Sequence, residues 1–184
     1  MSNVVQVDLS VSKYFKSDFV ADYSNEYPKI PLGISFLHTN LDLPLMRQIL
    51  NQIWPIAEDP SQFQILDSFH EFYPPHIDKE GSRTVKARLN VLCTGQPGTM
   101  QFYETDQQYK DKDGWVFDTI ADADITKLKP VERVEMNYPS LVKPDTYHCV
   151  MFDKKDKGTR RIVLSYPFYK HSWEEVCEYF SKQV

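Results

Sequence analysis

Between Phe63 and Phe168 the chain passes through eight short runs rich in Val, Ile, Leu, Phe and Tyr, each bounded by Gly, Pro or Asp. They read "FQILDSFHEFY", "TVKARLNVLCT", "TMQFYE", "WVFDTI", "ERVEMN", "SLVKP", "YHCVMF" and "RRIVLSYPF". Runs of that length, separated by turn residues, predict an all-β sandwich or jelly roll. The flanks read differently. The first forty residues look like short extended pieces, and "LPLMRQILNQIWPIAED" then carries Leu45, Ile49 and Ile53 at helical spacing, with Pro55 ending the helix near Trp54. At the other end Ser172 and Glu175 form a capping box ahead of an apolar stripe of Trp173, Val176, Phe180 and Val184.

The expected organisation is therefore one domain over residues 1–184. Residues 1–62 supply strands and a helix, 63–168 the β core, and 171–184 a closing helix, with both helices covering one face of the sheets. Three cysteines without C-x-x-C spacing predict reduced core thiols, not a disulfide frame or zinc site. A net charge of −5 provides no basic field, so no nucleic-acid partner is expected. No stretch is long and apolar enough for a membrane span, and the first nineteen residues lack the pattern of a signal peptide. A cytoplasmic location is expected.

Chemistry concentrates in "YPPHID", where His76 and Asp78 stand one residue apart. His148 opens a strand seventy positions after Asp78, and Arg160 and Arg161 open the last strand a dozen residues further on. Two imidazoles and a carboxylate on one face of an octahedral metal leave three adjacent positions open, as in non-haem Fe(II) oxygenases. Those positions suit a bidentate 2-oxo acid together with dioxygen. An arginine fork suits the distal carboxylate of such an acid, because it pairs two donors and stays charged.

In this order the residues resemble the Fe(II)- and 2-oxoglutarate-dependent dioxygenases, with a prolyl hydroxylase-like pattern. The resemblance spans roughly residues 63–168 and rests on the H-x-D…H…R order, on the hairpin "ARLNVLCTGQPGTMQFYE", and on the closing "PSLVKPDTYHCVMFDKKDKGTRRIVLSYPF". It implies a double-stranded β-helix (jelly-roll, cupin-like) core with flanking helices. It implies Fe(II) on His76, Asp78 and His148, 2-oxoglutarate as cosubstrate, O2, and ascorbate as a reductant. It implies Tyr73 beside the cosubstrate and one arginine on its distal carboxylate. Two adjacent arginines stand where the family needs one. Arg161 shares a strand face with Val163 and Ser165, whereas Arg160 shares one with Ile162 and Leu164. Arg161 is therefore preferred, with Arg160 kept as the alternative and Ser165 as a neighbour. Asn90 and Tyr103 either point into the barrel or pack as ordinary strand residues. Residues 105–130 are a lid or a surface excursion. His70 reads as a core or rim residue, and His38 and His171 as structural or solvent-facing.

The activity so implied is hydroxylation of an unactivated C–H bond with release of succinate and CO2; Asp78 argues against halogenation. The substrate, a small molecule or a peptidyl residue, is not written in the sequence, nor is the oligomeric state. Two other readings stand beside this one: a jelly-roll module that binds a ligand without turnover, and a cupin using another metal without 2-oxoglutarate.

Overall fold

A computed structural model describes residues 2–26, 35–38, 44–57, 59, 62–68, 75–80, 83–104, 128–152 and 159–182. The elements run β1 (Val4–Gln6), α1 (Lys13–Glu26), β2 (Ser35–His38), α2 (Pro44–Ile53), β3 (Gln64–Ser68), β4 (Lys79–Glu80), β5 (Arg83–Thr84), β6 (Ala87–Thr94), β7 (Thr99–Glu104), β8 (Lys129–Glu135), β9 (Ser140–Val142), β10 (His148–Met151), β11 (Arg161–Phe168) and α3 (Trp173–Ser181). Two antiparallel sheets form the core. The larger has the order β1-β9-β6-β11-β3-β2 and the smaller β10-β7-β8, while β4 and β5 make a separate short hairpin. The architecture is an all-β jelly roll with helices on one side.

Alternation along the strands decides what each face of the large sheet meets. Ile65 on β3, Leu89 and Val91 on β6, and Ile162, Leu164, Tyr166 and Phe168 on β11 join a single core with the helices. The helices contribute Phe19 and Tyr23, then Leu45, Ile49 and Ile53, then Trp173, Val176 and Phe180. The other parity of the same strands is unusually polar: Gln64 and Ser68, Arg88 and Asn90, Arg161 and Ser165 are all buried. Buried polar side chains are costly unless partnered, so a polar stripe between two sheets marks a site and not a packing layer.

The long α1 corrects the expectation of extended pieces over the first forty residues. Only β1 and β2 there are strands. Phe15, Phe19 and Tyr23 recur every four residues and pack into the helix-side core, and Phe19 and Tyr23 stack with centroids 6.2 Å apart. Burying such rings favours helix by roughly 1.5–3 kcal/mol each, which outweighs the polar residues between them. The capping box forms as read: Ser172 Oγ accepts from Glu175 N at 3.2 Å, and Ser172 N donates to Glu175 Oε2 at 2.7 Å. The "WVF" run, Val184 and the 105–127 stretch lie outside the described residues. Cys93, Cys149 and Cys177 are free thiols. Among the described residues no helix is long and apolar enough to cross a membrane.

Candidate metal centre

Backbone pairing brings the two ends of the H-x-D…H pattern together. His76 N donates to His148 O at 2.9 Å, and His148 N donates to His76 O at 3.0 Å. The two residues thus form one hydrogen-bonded antiparallel pair, with both imidazoles on the same side and ring centroids 4.5 Å apart. Asp78 follows at the next position of that parity, held by Asp78 N donating to Pro144 O at 3.0 Å. Ile77, between them, turns the opposite way onto the cluster of Tyr103, Tyr147 and Cys149. Alternation along residues 76–78 thus delivers two ligand-type side chains to one wall.

One ligand atom from each of His76, Asp78 and His148 lies within 4.8 Å of the others, and all three residues are buried. His148 Nδ1 donates to Thr146 O at 2.8 Å, which leaves Nε2 with its lone pair facing inward. Burial, reinforced by the neighbouring His76, drops the His148 pKa to about 4 despite the attraction of Asp78, so the ring is neutral near pH 7. Burial alone pushes the Asp78 carboxyl up. Arg88 and the two imidazoles more than offset this and hold it well below the usual carboxylate range.

The residues fit a divalent metal. Asp78 Oδ1 is buried without a well-formed hydrogen bond, facing His76 Nε2 at 3.3 Å and His148 Nε2 at 3.9 Å. An ionised oxygen set between two imidazole nitrogens, only one of them near enough to share a proton with it, offers lone pairs to a cation. Two nitrogens and one hard oxygen suit a first-row transition metal better than calcium or magnesium.

The triad forms one wall of a cavity of about 70 Å³ between the sheets, room for roughly five water-sized groups. Leu66, Met100, Val142, Val150 and Phe152 supply its apolar lining, and Ser68, Arg88, Asn90, Tyr138 and Arg161 its polar one. Arg161 is buried in that wall. Its Nε donates to Gln96 O at 3.2 Å and its Nη2 to Tyr138 Oη at 2.5 Å. Its guanidinium lies 5.8 Å from the Tyr138 ring centroid and 5.3 Å from that of Phe152. Among the described residues nothing accepts from Nη1. Arg160 faces the other way, where Nη2 meets Asp67 Oδ2 at 2.7 Å and Nη1 donates to Ser24 Oγ.

Asn90 lines the cavity. Ser165 lies behind it, where its Oγ donates to Asn90 Oδ1 at 2.6 Å. Tyr103 does not face the cavity. Strand alternation sets it opposite Met100 and Phe102, in the outer cluster, with its hydroxyl 3.6 Å from Cys149 Sγ. Tyr73 and His70 lie outside the described residues.

Two glycines hold the Arg161 end of the cavity. At Gly95, φ is +90° and a Cβ would meet Arg160 O at 2.7 Å and Arg161 Cα at 2.8 Å, so no side chain fits there. At Gly98, φ is +76° and a Cβ would strike the Phe152 ring at 2.7 Å. Gly95→Ala is expected to destabilise the fold by about 1–3 kcal/mol through φ alone and to displace Arg161. A thermal melt together with ligand titration will show both effects in the one variant.

Three site residues carry no motif: Arg88, Tyr138 and Phe152. Arg88 had a usable signal, since it precedes Asn90 by two on the same strand and so shares its face. Phe152 also had one, since it continues the alternation of His148 and Val150 onto the cavity, whereas Tyr138 lies between strands, where spacing offers no guide.

No protein-family model matches the chain, and no curated protein sequence does. Solved structures align at low identity. A prolyl 4-hydroxylase from Phytophthora capsici covers 97% of this chain at 13% identity and a TM-score of 0.46, and this chain spans 65% of its length. A hydroquinone 1,2-dioxygenase covers 91% of this chain and is itself covered to 91%, at 9% identity and a TM-score of 0.38. The truncated viral collagen prolyl hydroxylase of Paramecium bursaria Chlorella virus-1 covers 89%, with 88% of its own chain covered, at 10% identity and a TM-score of 0.40. Likenesses this remote leave the reading of function to the geometry of the site.

Proposed function

We propose that this protein is an Fe(II)- and 2-oxoglutarate-dependent dioxygenase that hydroxylates an unactivated C–H bond. The observation that carries the reading is the buried His76, Asp78 and His148 set, its ligand atoms within 4.8 Å of one another, in the same small cavity as a buried arginine whose Nη1 meets no acceptor among the described residues. When bound, iron with 2-oxoglutarate and O2 supplies the oxidising power, and succinate and CO2 are released.

The chain's own part is to bind, orient and exclude water. His76, Asp78 and His148 would hold the metal through two imidazole nitrogens and one carboxylate oxygen, a donor set that would let it also bind a 2-oxo acid. Arg161 takes the distal carboxylate. Its ring neighbours and the Gln96 carbonyl fix the guanidinium plane, so little freedom is lost when the ligand arrives. The surrounding Leu66, Met100, Val142 and Val150 keep the reaction dry. Arg88 and Arg161 against Asp78 leave the apo cavity lining one positive charge in excess, which suits a dianionic cosubstrate. The substrate is a small molecule or a peptidyl side chain.

The test is succinate formation by purified protein with Fe(II), ascorbate, oxygen and 2-oxoglutarate, measured beside His76→Ala. Turnover that disappears in the variant is expected. A signal unchanged by His76→Ala overturns the metal assignment. Turnover without 2-oxoglutarate would point instead to a cupin that needs no cosubstrate. Failure of iron and 2-oxoglutarate even to raise the melting temperature would leave a non-catalytic module.

A further inference from the structure

The buried polar groups behind the triad converge on a side chain to which the oxygenase reading gives no task. Arg88 Nε lies 2.6 Å from Asp78 Oδ2, both side chains being almost wholly buried. The N–H is poorly aligned with the oxygen, so the contact is chiefly one of charge. Arg88 Nη1 donates to Gln64 Oε1 at 2.6 Å and to Ser165 Oγ at 3.1 Å. Those partners sit on β3 and β11, which lie consecutively beside β6 in the large sheet. One guanidinium is thus fastened to three neighbouring strands at once.

We propose that Arg88 is a positioning residue for the metal: by gripping the Oδ2 side of Asp78 it presents Oδ1 alone to the ion. The inference rests on the metal reading of the triad. An aspartate's terminal torsion is soft and nearly two-fold, so an ungripped carboxylate can turn or chelate through both oxygens. Either change spoils a centre that must keep adjacent positions open. Here one oxygen is engaged by a cation that cannot follow it, and the other faces the two imidazole nitrogens at 3.3 and 3.9 Å. Arg88 also supplies the counter-charge that a buried carboxylate needs before any metal arrives. The two arginines of the cavity thus divide the work: Arg161 keeps Nη1 for a ligand, and Arg88 commits Nε and Nη1 to the protein.

The experiment titrates cobalt(II) alone into metal-free full-length protein and follows its visible absorption, for wild type, Arg88→Gln, Arg88→Lys and Gln64→Leu. Partners behind a metal ligand are worth about 10–100-fold in metal affinity. Arg88→Gln is expected to weaken cobalt binding by that factor. Arg88→Lys, which keeps a cation against Oδ2, recovers most of it. Gln64→Leu loses an Arg88 support yet keeps affinity within about threefold, although its melting temperature falls. Equal cobalt affinity in Arg88→Gln and wild type overturns the inference, as does an Arg88→Lys no better than Arg88→Gln. Failure of both Arg88 variants to fold also overturns it, because the residue is then structural only. Absence of cobalt binding by wild type sinks the metal reading itself, a different result from any of these.

Discussion

Asp78→Ala will lose metal binding and stability together, whereas His148→Ala will lose the metal at a much smaller cost to the fold. The difference lies in what each variant leaves behind. Removing Asp78 strands the buried Arg88 guanidinium without its counter-charge. Breaking a buried ion pair from one side costs about 3–5 kcal/mol, or roughly 6–20 °C in Tm for a chain of this size. Removing the His148 imidazole leaves a void beside Phe102, whose ring centroid is 5.8 Å from it, but no unpaired charge. Melts of the two metal-free variants, with cobalt titration of each, will separate the effects. Equal losses of stability would mean that Gln64 and Ser165 alone satisfy Arg88.

The adjacent arginines will part company in the same way. Arg160→Met is expected to unfold early, by about 3–5 kcal/mol, because Asp67 is fully buried and Arg160 is its cation. On the proposed function, the 2-oxoglutarate requirement expected of this protein will not change in that variant. If Arg161 holds the cosubstrate as proposed, Arg161→Lys will melt close to wild type yet need roughly 10–100-fold more 2-oxoglutarate, the worth of a charge-assisted hydrogen bond made by a fork and not by a single ammonium. Succinate formation against cosubstrate concentration, paired with thermal melts, gives both axes. An exchange of these phenotypes would assign the cosubstrate to Arg160.

The contrast between the two arginines also shows what the sequence makes legible. Strand parity alone sets Arg161 on the face of Ser165, and Arg160 on that of Leu164; the fold gives those faces to the cavity and to the helix side respectively. His76 and Asp78 alone would read as a polar turn; they stand out only because His148 and an arginine a dozen residues beyond it follow in order. What spacing does not reveal is partnership. Nothing in "ARLN" tells that Arg88 meets Asp78, since the two belong to segments whose meeting no local pattern encodes. Helix α1 escaped for another reason. Its buried stripe of Phe15, Phe19 and Tyr23 is narrow, and a polar chain around it reads as coil until a sheet is there to receive the rings. Phe152 does follow a period, two residues beyond Val150 and four beyond His148 on the cavity face, whereas the loop-borne Tyr138 follows none.

The reciprocal backbone pair between His76 and His148 has a consequence for how the molecule comes into being. Both nitrogen ligands hang on one rung of a ladder whose halves are made far apart in the chain. Until that rung closes, no length of nascent polypeptide can offer an ion more than the H-x-D half of the set. The entropy of closing so long a loop grows only slowly with its length, so the segment between the halves can lengthen or shorten at little cost to the rung. On the proposed reading, capture of metal is therefore a late event in the life of the chain, and a stoichiometric ion would be a certificate that this rung has already closed.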